Sequence, residues 1–184
     1  MFSKNKIEIN KFLNKSFIIS LLLFFIYICI YKIRTGDINS IIGYIYNYFI
    51  NSKLLFFLAV FLLLSGIIIH ELVHGFFFAK NNSKSCKSVK FGFSRVNLAP
   101  YTHCNEPIKV KHYRVAIVMP TVLLGNLPLV GYLVFDITWF WLYSLFFTIS
   151  GVGDLLLFWQ IRRIPPEEMI KDHPTKIGYI LNNE

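Results

Sequence analysis

The chain has 184 residues, a formal charge of +9, and a composition that is 55% hydrophobic but only 16% charged. Soluble domains carry about a quarter charged residues, so this composition excludes an ordinary water-soluble fold and points to an integral membrane protein. The positive charge is gathered between apolar runs, where the positive-inside rule places it, which argues against nucleic acid as a partner.

The first segment, Met1 to Ser16, carries Lys4, Lys6, Lys11 and Lys15 against Glu8. The apolar run "FIISLLLFFIYICIY", Phe17 to Tyr31, follows, and no small-x-small cleavage site succeeds it. It reads as an uncleaved first transmembrane helix. In "TGDINSIIGYIYNYFINSK", Ile38, Ile41, Ile45 and Phe49 share one helical face, which predicts a short interfacial helix. A second span is expected from about Leu54 to Ala79. Beyond it, "SVKFGFSRV" (Ser88 to Val96) alternates as a strand does, and "NLAPYTHCNEP" reads as a turn. Such a strand either holds an extended substrate by edge pairing or pairs only within its own hairpin. A third span, about Val115 to Phe135, contains Pro120 and Pro128, where kinks are expected. After a short turn at Asp136, a fourth span runs from about Ile137 to Ile161.

The loops set the orientation. Between Lys80 and Arg114 lie eight lysines and arginines against Glu106 alone. That loop and the lysine-rich start belong in the cytosol, and four spans then put both termini there. Cys86 and Cys104 fall in this cytosolic loop and Cys29 in the first span, so no structural disulfide is expected. The expected architecture is an all-α integral membrane protein of about four transmembrane helices. A small cytosolic loop with a candidate β-hairpin joins the second and third. Residues 1–53 form an N-terminal helix and interfacial segment, and residues 54–184 a three-helix core with its loop and tail.

Inside the second span, "SGIIIHELVHGFFF" carries His70, Glu71 and His74. Ionisable groups in a membrane-spanning helix cost several kcal/mol and signal function by default. The spacing is H-E-x-x-H. Residues four apart share a helical face, so both imidazoles can reach one Zn²⁺, and Glu71 can deprotonate a water held there. The alternative is a polar cluster that bonds helices together.

A catalytic zinc needs a third protein ligand and an open position. Asp154, in "SGVGDLLLFWQ", is the one ionisable residue well inside another span. At about 1.5 Å per residue, His70 lies about 24 Å along the second span and Asp154 about 25 Å along the fourth. The two spans run the same way, so both residues reach similar depth near the cytosolic face. Ser150, Gly151 and Gly153 would let that helix approach a neighbour closely. The competing assignment pairs Asp154 with Arg162 or Arg163.

"HELVHG" on one span and "GDLL" on a later one resemble the putative zincin peptidases of bacterial membranes, akin to intramembrane zinc metalloproteases of the site-2 protease type. The resemblance covers roughly Leu54 to Leu181, including "APYTHCNEPIKVKHYRVAIVMP" and "DHPTKIGYI". It implies a three-helix core, His70, His74 and Asp154 as zinc ligands, Glu71 as the general base, and a bacterial cytoplasmic membrane as the location. Site-2 proteases carry the aspartate as asparagine-proline-x-aspartate-glycine or leucine-aspartate-glycine, whereas here glycine precedes Asp154 and leucine follows it.

His103, Cys104 and Glu106 form a further group with metal-binding residue types, read either as ligands or as solvated loop residues. His112 and His173 read as surface histidines. Asn126 can hydrogen-bond a substrate carbonyl or bridge helices. The expected function is intramembrane zinc-dependent hydrolysis of a peptide bond in a membrane-embedded or membrane-proximal protein. The alternatives are a non-proteolytic zinc-binding membrane protein (anchor, sensor or assembly factor) and a metal-ion transporter.

Overall fold

The computed structural model describes residues 2–80, 89–94, 99–172 and 178–181. Apolar runs without proline propagate as single helices: α1, Phe2–Thr35, and α3, Lys53–Lys80. About 20 residues suffice to cross a bilayer's hydrocarbon core. Phe12–Thr35, Lys53–Lys80 and Val110–Phe135 are each long and apolar enough, and the bent pair Thr138–Ser150 with Val152–Ile161 makes a fourth if taken together. Phe57 and Phe61 on α3 stand 66% exposed. Such a surface suits lipid rather than water, and the architecture is that of a mostly α-helical membrane protein.

Between α1 and α3 the chain forms α2, Asn39–Ile45, and a π-helical segment, Tyr46–Asn51. Of the face expected to be apolar, Ile41 packs on the cluster of Tyr27, Tyr31, Tyr132 and Trp141, and Phe49 meets Phe56 and Trp139. Ile38 and Ile45 stay exposed.

The third span begins earlier than the hydrophobic pattern indicates. It consists of α4, Val110–Pro120, a π-helical segment, Thr121–Asn126, and α5, Leu127–Phe135. Its polar start is anchored by Arg114, whose Nη2 donates to the carbonyls of Ile161 (2.7 Å) and Ile164 (2.5 Å). Pro120 leads into the π segment, and Pro128 lies in the first turn of α5, which continues from that segment. Asp136 ends α5 in the left-handed region (φ 55°). Its carboxylate accepts both fork hydrogens of Arg34 at 2.6 Å, tying the end of α1 to this turn.

The expected straight fourth span is two helices, α6, Thr138–Ser150, and α7, Val152–Ile161, bent by 47° about Gly151. At Gly151 a Cβ would collide with Thr121 Oγ1, so only glycine lets the two spans approach this closely. Gly153 instead faces open space, contrary to the expectation that it too serves close packing. Helix α1 packs on α6 through polar bonds. Ser144 Oγ donates to Gly125 O (2.6 Å), and the Tyr27 hydroxyl bonds both Ser144 Oγ and Thr148 Oγ1 at 2.7 Å.

The loop forms a β-hairpin, with its first strand inside the alternating stretch Ser88 to Val96. β1, Val89–Ser94, pairs antiparallel with β2, Ala99–Cys104, with Phe91 opposite Thr102. "NLAPYTHCNEP" is therefore not a turn, because its residues 99–104 form the second strand. Pro100 is compatible with this, since a two-stranded hairpin leaves edge positions that need no N–H. A second sheet, unforeseen, orders β3 (Ile108–Lys109), β4 (Met169–Asp172) and β5 (Tyr179–Leu181) as β3-β4-β5. Cys86 and His173 lie outside the described residues.

Asp172, at the end of β4, holds these pieces together. Its carboxylate accepts the Cys104 N–H (2.8 Å) and the Tyr113 hydroxyl (2.5 Å), with His103 Nδ1 3.7 Å away. Burial nevertheless raises its pKa above the usual carboxylate value, and the Cys104 and Tyr113 bonds and the His103 charge offset this only in part. A raised folded-state pKa means the folded form gains a proton before the unfolded one does. Asp172 thus adds stability as pH falls from neutral through its raised pKa towards the ordinary value of about 3.9. Thermal unfolding in detergent at stepped pH should show wild type gaining on Asp172→Asn over that window. Parallel curves for the two proteins would contradict this.

Candidate metal centre

His70 and His74, one turn apart on α3, place their Nε2 atoms 3.2 Å from each other. Asp154 joins them from the first turn of α7, whose start is fixed by the break at Gly151. Its Oδ2 lies 3.2 Å from His70 Nε2 and 3.5 Å from His74 Nε2. The three side chains are 12%, 9% and 25% exposed, in the order His70, His74, Asp154. With Zn–N and Zn–O distances near 2.0–2.1 Å, tetrahedral ligand atoms lie about 3.3 Å apart. The observed spacings and the two-imidazole, one-carboxylate donor set therefore fit a zinc ion. Among the described residues, this is the group whose ligand atoms converge.

The bond on the far side of His74 sets its tautomer. Nδ1–H donates to the Ala116 carbonyl of α4 at 2.9 Å. That leaves the Nε2 lone pair directed at the cluster, the usual support of a metal-binding histidine.

Glu71 follows His70 and is part-buried. Its backbone carbonyl accepts the Thr102 hydroxyl at 2.8 Å, which pins the hairpin onto α3 beside the cluster. One turn on, Gly75 sits under the Phe91 ring of β1, where a Cβ would have to displace that ring. The hairpin thus covers the helix at the histidine motif. Thr102 was not legible as a contributor, because its strand reads as a turn.

The other candidates lie elsewhere. His103 and Cys104 converge on Asp172, and Cys104 Sγ donates to Glu106 O at 3.4 Å. Asn126 is exposed on the π segment, ten residues and about 15 Å beyond the Ala116 carbonyl. That is too far to bond a carbonyl held at the cluster. Arg162 stacks over Trp159, 3.6 Å from the ring centre, and the partners of Asp154 are histidines.

The sequence profile of one protein family, described as "Putative zincin peptidase", matches residues 62–169. That stretch runs from within α3 to the first residue of β4 and contains His70, Glu71, His74 and Asp154. No curated protein and no solved structure matches the chain.

The packing at the bend separates two neighbouring glycines. Gly151→Val must push Thr121 and its π-helical segment away, at a cost of about 1–3 kcal/mol. Gly153→Ala enters open space and should shift stability by less than about 0.5 kcal/mol. Chemical or thermal unfolding of the two variants checks the contrast, and equal destabilisation would show that close approach at Gly151 is not what the bend requires.

Proposed function

This chain belongs to the putative zincin peptidase family, and we propose that it is an intramembrane zinc metallopeptidase that cleaves a membrane-embedded or membrane-proximal polypeptide. The observation that carries the reading is the convergence of His70, His74 and Asp154, with Glu71 next to His70 on α3. In this reading the three are ligands to Zn²⁺. Zinc held there supplies Lewis acidity, which polarises a carbonyl and makes water nucleophilic near neutral pH.

Glu71 takes the proton of the attacking water on its carboxylate and passes it to the departing amine nitrogen. His70, His74 and Asp154 hold their donor atoms on one side, and Ala116 fixes the His74 ring. His70 lies 17 residues into α3, about 26 Å from Lys53 and about 15 Å from Lys80. The site therefore lies towards the end that carries the hairpin and the β3-β4-β5 sheet. With the basic loop in the cytosol, water enters from the cytosolic face. The membrane is the bacterial cytoplasmic membrane, and both termini face the cytosol. A peptide bond in an intact helix is shielded, so the substrate unwinds locally, and glycine, proline or asparagine near its cleaved bond helps.

Metal analysis of purified protein should give about one zinc per chain. That zinc should be lost in His70→Ala, His74→Ala and Asp154→Ala and kept in Glu71→Gln. Co-expression with candidate membrane substrates should show cleavage slowed by about 10²–10⁴-fold in Glu71→Gln. Zinc in both proteins with equal processing would make the chain a zinc-binding membrane protein without proteolysis. Ion flux in liposomes would instead favour a transporter.

Orientation is tested by reporter fusions. Fusions after Arg114 and at the C-terminus should read cytosolic, and one near Asn51 external. A cytosolic signal at Asn51 would overturn both the topology and the route for water.

A further inference from the structure

We propose that Pro120 is a positioning residue for the metal centre: lacking an N–H, it leaves the Ala116 carbonyl to His74. The proposal rests on the reading of His74 as a zinc ligand. In an α-helix, the N–H of each residue donates to the carbonyl four positions earlier. For Ala116 O that donor would come from residue 120, at the end of α4, and proline has none to give. Ala116 is fully buried (0% exposed), so water does not supply the missing bond. A buried carbonyl left without a donor is destabilising. His74 Nδ1–H, at 2.9 Å, satisfies it.

The two needs meet in one bond. The helix has a carbonyl without its helical donor, and the imidazole needs an acceptor that fixes its tautomer and ring plane. A proline four residues further on in the facing span brings both about without adding a polar side chain to an apolar interface. The effect on the metal centre is specific to this proline. Pro128 lacks an N–H too, but the carbonyl four residues before it belongs to Leu124, about 12 Å further along the span than Ala116. An alanine at 120 would return an N–H to Ala116 O along the helix axis and draw that carbonyl away from His74.

The test compares full-length wild type, Pro120→Ala and Pro128→Ala, purified in detergent, with two readouts. The first is the ring ¹⁵N chemical shifts of metal-free, histidine-labelled protein, with the His74 signals assigned by their loss in His74→Gln. The second is zinc affinity by chelator competition. Wild type should show His74 as the Nδ1–H tautomer. Pro120→Ala should lose that fixed tautomer and bind zinc about tenfold more weakly, the lower end of the effect of removing a ligand's supporting partner. Pro128→Ala should match wild type in both. Alanine favours helix, so Pro120→Ala is expected to fold; should it not, Pro120→Ser restores the same N–H. Equal zinc affinity in Pro120→Ala overturns the proposal. So does weaker affinity with the His74 tautomer unchanged, since proline would then act through helix shape alone. If wild type binds no zinc, the metal assignment fails, while the tautomer comparison still decides whether Pro120 releases the carbonyl.

Discussion

Two imidazoles and a carboxylate with donor atoms 3.2–3.5 Å apart, inside strongly apolar helices, constrain everything around them. A polar group in such surroundings is costly unless it finds partners within the protein. His70, His74 and Asp154 meet that demand mutually, and the backbone of α4 meets the remainder through Ala116. Helix α3 must run unbroken to keep the histidines on one face. The fourth span breaks at Gly151, and Asp154 arrives from the first turn of the helix that follows. The third span offers the Ala116 carbonyl to His74. Three helices thus bring three different backbones to one centre.

The ends of the bundle keep that geometry in register. Arg114 joins the start of α4 to the end of α7, so the two helices that hold Ala116 and Asp154 are fastened by a side chain outside the site. Asp172 draws β4 onto the hairpin and onto Tyr113, and Thr102 then fastens the hairpin to α3 at Glu71. The family match begins within α3, leaving α1 outside it. Helix α1 still bonds α6 at Ser144 and Thr148 and accepts the Trp141 indole N–H at the Tyr27 carbonyl. It braces the limb of the fourth span that leads to the bend.

The apolar helices and the meeting of His70, His74 and Asp154 could be read from sequence because each leaves a local mark. Span length and charge asymmetry are counted directly, and H-E-x-x-H needs only helical periodicity. The depth comparison that selected Asp154 assumed a straight fourth helix, yet it survives the bend. Asp154 lies three residues past Gly151, so a 47° turn changes its depth by only about 1.4 Å at 1.5 Å per residue. What escaped was non-local. β2 contains a proline and sits in a polar stretch, so only its pairing with β1 makes it a strand. β3, β4 and β5 are two to four residues long, too short for alternation to register. Pro120 announced a distortion, but which side chain would use the freed carbonyl depends on helix packing.

The centre also separates residues by how far function and fold are entangled in them. Asp154 meets both histidines, so removing its carboxylate takes a partner from two buried rings and disturbs packing together with any metal. A loss of activity on its removal carries little information by itself. At Glu71 the scaffold engages the backbone carbonyl, through Thr102, and that bond is indifferent to the side chain. Exchanging the Glu71 carboxylate for an amide of the same shape therefore leaves helix, hairpin and the three converging donors in place, while removing the basic oxygens assigned to the proton transfer. Chemistry can be isolated from architecture at that position, and it is there that the catalytic reading is most exposed to refutation.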